Sequence, residues 1–435
     1  MSRSVAMRAA VVAVAGVLSL LAGVPLPVSA QRGGMFQGSP DDPAIAYSTA
    51  PLNNAVSAVN QRLREGSVQL TFEGRSGYLR SALRALDIPI DTQMLVFSPT
   101  SFQRKQISEA NPRALFFNDR VALGWVRDGE IIEVAAQDAN EGMVFYTLDQ
   151  RRVEQPEFKR VLMCLACHKA GDTLGVPGML MFSTTASSDA DLPAKSVMTD
   201  HRSPLERRWG GWFVTGRSGS VTHRGNQATT IAAGRDRDLE SVSGLFDADG
   251  YQSMSSDIVA LLVLSHQIHM TNLITRIGWE ARAADPLLHP PFVAAAGEDR
   301  QIAEMMSGIA AEVVDYLLFV DEAPLADRIE GSSLFAQRFA AIGPRDRKGR
   351  SLHELDLTRR LLKYPCSYEI YSAAFDALPP SARDPIYRRM WQVLSGDERG
   401  ERYRAALPLS DRQAIVEILK DTKPDLPGYF QNVSR

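Results

Sequence analysis

Residues 164–168 read Cys164-Leu165-Ala166-Cys167-His168, and the rest of the chain is read around them. Two thiols at this spacing can add to the two vinyl groups of a haem, with the adjacent His168 placed to ligate the iron. C-x-x-C-H is the signature of covalent c-type attachment. The competing readings are weaker. A zinc site needs about four ligands, and no second C-x-x-C exists. A thioredoxin-like dithiol needs a β-α context that the flanks lack. The expectation is one covalent haem c, with Cys164 and Cys167 as its thioethers and His168 as its proximal iron ligand.

The N-terminus agrees with that chemistry, which in bacteria takes place outside the cytoplasmic membrane. Arg3 and Arg8 form a basic region, an apolar run from Ala9 to Val24 follows, and Val28-Ser29-Ala30 has the small residues of a cleavage site. Residues 1–30 are predicted to be a signal peptide, making the protein exported, periplasmic or extracellular. The apolar run is shorter than the ~18–20 residues of a spanning helix, with an uncleaved anchor as the alternative. No cysteine precedes Cys164, which excludes a lipid anchor on one. No second long apolar run follows, so no transmembrane segment is expected in the mature chain. A net charge of −3 leaves no electrostatic footprint for nucleic acid. The expected partner is a redox protein or a small-molecule donor or acceptor.

The chain has 435 residues, enough for several cores. An α+β fold is predicted: a small mixed N-terminal domain (31–156), a loop-rich c-type haem segment (157–250) and an all-α C-terminal region (251–435). Residues 31–45, rich in Gly, Pro and Asp, read as a flexible start. Helical patterns cover Asn54–Arg64 and Gly77–Leu86. Strand patterns cover Val68–Phe72, Met94–Phe97, Ala114–Phe117 and Met143–Leu148. Val121–Val126 and Glu130–Ala136 flank Asp128-Gly129, a dipeptide suited to a tight hairpin turn. Glu157–Met163 reads as a short helix. Trp209–Thr215 and Ser220–Arg224 read as a hairpin. From Ser256 the period becomes helical, with Ile258, Leu261, Leu262, Leu264, Ile268, Leu273 and Ile277 on one stripe. A second helix spans about 299–320, and Ser351/Glu354 and Ser410/Gln413 have the spacing of capping boxes. Cys366 reads as a small buried residue rather than a reactive thiol.

The distal side of the haem is open to several readings. His201 and His223 lie in the loop-rich stretch and are the first candidates for the sixth iron ligand. His266, on the long helix, is a weaker one. His269 lies beside it, but no carboxylate or cysteine completes a separate metal site there. Met179, Met181 and Met198 are within reach, and apolar filling around the porphyrin is the readier reading of Met179 and Met181. Arg208, Trp209 and Trp212, in Arg207-Arg208-Trp209-Gly210-Gly211-Trp212, are candidate haem-contact residues. Guanidinium and indole N–H groups suit haem propionates, and the glycines let backbone approach a flat cofactor. The plainer reading is a hairpin with two core aromatics.

The chain also resembles a family of exported bacterial proteins described as cytochrome c domain-containing. The resemblance runs through Cys-Leu-Ala-Cys-His, Thr-Leu-Gly-Val-Pro-Gly (173–178), the segment 200–216 and His-Arg-Gly-Asn (223–226). It continues in Phe-Asn-Asp (117–119), Gly-Trp-Val (124–126), Leu-Ser-His-Gln (264–267) and Tyr-Pro-Cys-Ser-Tyr (364–368). It implies one haem per chain and an extracytoplasmic location, and favours His201, His223 and His266 as pocket residues over Met179. It implies no particular activity.

Three functions fit. The first is an exported monohaem electron carrier, six-coordinate through His168 and His201 or His223. The second is a periplasmic haem enzyme, a peroxidase or oxidoreductase, with an open distal site and Arg207 or Arg208 stabilising charge. The third is a sensor in which haem gates the helical region.

Overall fold

Alternation along the strands decides how the sheet lies. Ile131–Asp138 alternates half-exposed and buried residues over its whole length, as a strand does when one face enters a core. The computed structural model describes residues 34–185, 195–227, 238–288, 298–431 and Val433; the expected signal peptide lies outside them. The N-terminal elements are α1 (Ala55–Arg64), α2 (Leu79–Ala85), β1 (Met94–Val96), β2 (Arg113–Phe117), β3 (Val121–Trp125), β4 (Ile131–Asp138), β5 (Gly142–Asp149) and β6 (Lys159–Arg160). A one-turn α3 (Leu165–His168) leads to β7 (Phe182–Thr185), β8 (Lys195–Met198), β9 (Trp212–Phe213) and β10 (Gly216–Arg217). Helices α4 (Ile258–Ala283) and α5 (Glu298–Leu317) follow, then β11 (Glu330–Gly331) and α6 (Phe335–Ile342). The chain closes with α7 (Ala373–Asp376), α8 (Pro380–Ser395), α9 (Glu401–Ala406) and α10 (Leu409–Thr422). The α+β class is as expected, and past residue 251 the two-residue β11 is the only strand among the described residues.

Seven strands form one antiparallel sheet in the order β6-β5-β4-β3-β2-β1-β9. Asp128, at φ 59°, closes the predicted β3–β4 hairpin. One sheet face buries Phe116, Leu123, Trp125, Val134 and Val144 with Val56 of α1 and Leu79 of α2. Asn54 caps α1 by accepting from the Ser57 N–H. The register puts Leu115, Gly124, Glu133 and Thr147 in one cross-strand row of the opposite face, and Phe117, Ala122, Ala135 and Phe145 in the next.

Helix α4 joins the segments. Asp257 caps it by accepting from the Val259 and Ala260 N–H groups. Its first turns pack with the sheet, Trp212 and Tyr368, and its later turns pack with α5, α8 and α10. Trp279 reaches the N-terminal core. It is the one described helix long and apolar enough to cross a membrane, and its most apolar stretch is entirely buried inside the fold. Nearly every residue of α4 is buried, polar ones included, as befits a helix through the core of a large domain.

Several local expectations are corrected. In the stretch expected to be flexible, Phe36 and Ile45 are buried, and Phe36 meets Trp279 edge-on at 5.3 Å. Residues 68–72 form no strand; Thr71 instead exchanges hydrogen bonds with the Ser81 hydroxyl. Where a helix was expected at 157–163, β6 adds to the sheet edge beside Tyr146 and Thr147, and a single tight turn follows. The expected hairpin of 209–215 with 220–224 does not form. Positive φ at Trp209 and Gly211 turns the chain so that β9 pairs with β1, while β10 pairs with β11. Ser351 and Glu354 close a turn rather than start a helix, and Ser410 lies inside α10, which starts after Pro408. Phe319, at φ 55°, follows the end of α5 at Leu317.

Candidate haem site

The C-x-x-C-H segment is anchored by the chain that follows it. After α3 the backbone loops back, and residue 178 meets residue 168 twice. The Gly178 N–H donates to the His168 carbonyl at 2.9 Å, and His168 Nδ1 lies 2.9 Å from the Gly178 carbonyl oxygen. A ring nitrogen facing a carbonyl must carry the proton, so this contact assigns the Nδ1–H tautomer and leaves the Nε2 lone pair available. The Phe145 ring supports the imidazole, centroid to centroid at 4.6 Å. Burial holds His168 below the ordinary imidazole range, with the Gly178 bond working against it. Burial pushes the Cys164 thiol up, helped by the Glu133 carboxylate, whereas Cys167 is exposed.

In front of these three side chains lies a cavity of about 990 Å³, at the top of the ~300–1,000 Å³ range of sites that enclose small organic ligands. Cys164, Cys167 and His168 share its wall with Met179, Trp212, Leu264 and Ile268, and the half-exposed sheet face forms the floor. Small residues keep that floor flat: Ala122, Gly124 and Ala135 lie across β3 and β4. A Cβ on Gly124 would come within 2.3 Å of Arg113 Nη2, so the glycine is what lets that guanidinium lie along the sheet. Arg113 and Glu133 form an ion pair at 2.8 Å, each side chain less than a fifth exposed. Their remaining capacity is open: Arg113 Nε is buried without a hydrogen-bond partner, and Glu133 Oε2 meets the guanidinium without hydrogen-bond alignment. Arg104 and Lys105 also line the cavity. Two thiols, one oriented imidazole, a flat apolar floor and cations for carboxylates fit the chemistry of a c-type haem.

The other expected site residues divide. Trp212 is on the cavity wall, its Nε1 donating to the Phe182 carbonyl at 2.8 Å. Arg208 and Trp209 are buried outside it. Arg208 donates to the Ser203 and His201 carbonyls at 2.7 and 2.8 Å, which makes it an internal brace rather than a propionate partner. The structure does not bring His201, His223 or His266 to the cavity. His201 Nδ1 lies 2.7 Å from His266 Nδ1, and His266 Nε2 lies 2.7 Å from Ser367 Oγ. His201 stacks on Tyr316 with centroids 4.0 Å apart. Burial, reinforced by His266, holds His201 well below the imidazole range, and burial pushes His266 down to about 3. His223 is buried beside Trp209, with ring centroids 5.6 Å apart. His201 and His266 thus form an internal pair, and His223 sits in the core beside Trp209. Of the methionines, Met179 lines the cavity, while the Met181 sulfur accepts from Ser265.

Arg113, Glu133, Arg104 and Lys105 were not singled out from sequence. The signal for the first two was available: a charged residue in each of two strands falls on the same face once β2, β3 and β4 are set in register. Among the described residues, no group of three or more His, Cys, Asp or Glu side chains is arranged to hold a bare metal ion. No protein-family model matches the chain, and no curated protein and no solved structure matches it either.

Proposed function

We propose that the protein is an exported haem protein that carries one covalent haem c in this cavity and uses an open distal face for redox chemistry on a small molecule. Cys164 and Cys167 would hold the thioethers and His168 Nε2 the iron. One observation carries the proposal: the oriented His168, both thiols and a cavity of about 990 Å³ share one wall, and among the described residues no second histidine lines that cavity. When bound, the haem supplies one-electron chemistry and, with a vacant sixth position, a binding place for a small ligand. The chain's own groups then have separate tasks. Gly178 fixes the ring of His168. The sheet floor excludes water from one side. Arg113 presents a fixed positive charge, and Glu133 lies beside it as its ion-pair partner. The resemblance to cytochrome c domain-containing proteins and the export-like N-terminus support the same compartment.

Electron transfer alone is the second reading. The exposure of Cys167 and Met163 at the cavity favours it, because it leaves a haem edge accessible to a redox partner. Both readings require covalent haem. Export of the chain in a bacterium that attaches c-type haem, followed by intact mass and a pyridine haemochrome spectrum, tests this. One haem lost on Cys164→Ala/Cys167→Ala is expected; an exported chain with both thiols unmodified overturns it.

A further inference from the structure

We infer that Asn272, on the core helix α4, is a positioning residue that sets the orientation of His168 through the backbone of residues 178 and 179; the haem arm of its test rests on the reading above. Asn272 is almost fully buried. Its Oδ1 accepts from the Met179 N–H at 3.2 Å and its Nδ2 donates to the Met179 carbonyl at 3.0 Å. One amide thus holds both polar backbone groups of one residue, and that pattern fixes which end of the amide is oxygen. The preceding residue is Gly178, whose carbonyl faces His168 Nδ1. A Cβ at position 178 would stand 2.2 Å from Asn272 Oδ1, so glycine is what lets the backbone close on the amide. The neighbours of Asn272 on α4, Leu273 and Ile274, are in the helical core, so the clamp is anchored in the most buried part of the fold.

The physical consequence follows from the hydrogen bond on His168. A carbonyl held rigidly against Nδ1–H selects that tautomer and raises the basicity of Nε2 toward a metal. Without the amide, two buried backbone groups of residue 179 lose their partners, the loop shifts to satisfy them, and the Gly178 carbonyl leaves its place. A more basic ligand favours ferric over ferrous iron, so loosening the clamp shifts the balance toward ferrous.

Asn272→Leu, similar in volume, removes both bonds. Two measurements read it. In haem-free protein carrying Cys164→Ala/Cys167→Ala, the ¹⁵N shifts of His168 report the tautomer: Nδ1–H with Asn272 present, and a mixture in Asn272→Leu. In haem-loaded protein, the redox equilibrium shifts toward the ferrous form, read as a rise in the midpoint potential, and the iron–histidine stretching frequency falls. A folded Asn272→Leu protein with an unchanged His168 tautomer overturns the inference. A tautomer shift in a chain that accepts no haem leaves the positioning role standing and sinks the haem reading instead. Should Asn272→Leu fail to fold, Gly178→Ala, which drives a methyl group against the same amide, must shift the same tautomer signal or the inference falls.

Discussion

His201 Nδ1 and His266 Nδ1 face each other at 2.7 Å, a separation at which one nitrogen must carry the proton and the other must accept it. Around this pair stand Tyr316, Phe319, Arg202, Arg208 and His269, with Asp200 paired to Arg202 at 2.5 Å. Two charged imidazoles do not fit there. The pair braces the loop after β8 against α4 and α5, a role distinct from holding iron.

Stability should therefore fall in mild acid. Burial holds His266 at about 3 and His269 at about 4, whereas an unfolded histidine titrates near ~6.5. Between those values the unfolded chain binds more protons, so stability present above ~6.5 is lost as pH falls toward the folded values, at up to ~1.4 kcal/mol per pH unit for each histidine. Urea unfolding measured at about pH 7 and about pH 5 should show this loss. His266→Asn, which cannot ionise, should show a shallower dependence; an equally steep one would assign the loss elsewhere.

The cavity floor gives a second prediction. Gly124→Val places a branched side chain where Arg113 Nη2 lies, narrowing the space above the sheet. Haem incorporation should fall severalfold while far-ultraviolet circular dichroism stays unchanged, because the N-terminal core packs on the other sheet face. Unchanged incorporation would mean that the haem does not lie over this floor.

The Arg113–Glu133 pair gives a third. Arg113→Leu leaves the Glu133 carboxylate on a largely apolar wall and should destabilise by ~1–3 kcal/mol. Arg113→Leu/Glu133→Leu should recover most of that loss. Denaturant midpoints of the three proteins decide it, and an additive double variant would mean that the two side chains do not act as a pair.

Thiol chemistry gives a fourth. Cys366 is wholly buried, and burial pushes its thiol far up, whereas Cys167 is exposed. In haem-free protein a water-soluble disulfide reagent should label Cys167 quickly and Cys366 only on unfolding. Early labelling of Cys366 would contradict its place in the helical core.

What the sequence revealed depended on the range of the interaction. The β3–β4 hairpin, α1 and α4 were legible because turn chemistry and a helical period are local. The pairing of β9 with β1 was not, since Trp212 and Val96 are far apart in the chain. The 164–168 motif was legible as chemistry, and the structure adds the Gly178 contact that orients it. The histidines depend on long-range packing: His201 lies in the loop-rich stretch after the motif and His266 on α4, and Tyr316 and Ser367, from distant segments, hold both rings in the core. Arg113 and Glu133 come together only through the strand register, which sets residues of β2 and β4 on one sheet face.

The most direct test of the central claim is the absorption spectrum of the reduced, haem-loaded protein before and after carbon monoxide. With His168 on one wall, Met179 as apolar lining and no second histidine among the described residues, the cavity predicts a high-spin spectrum that shifts as carbon monoxide binds. A low-spin spectrum that carbon monoxide leaves unchanged would mean two strong axial ligands, contradicting the open distal face and returning the protein to electron transfer alone.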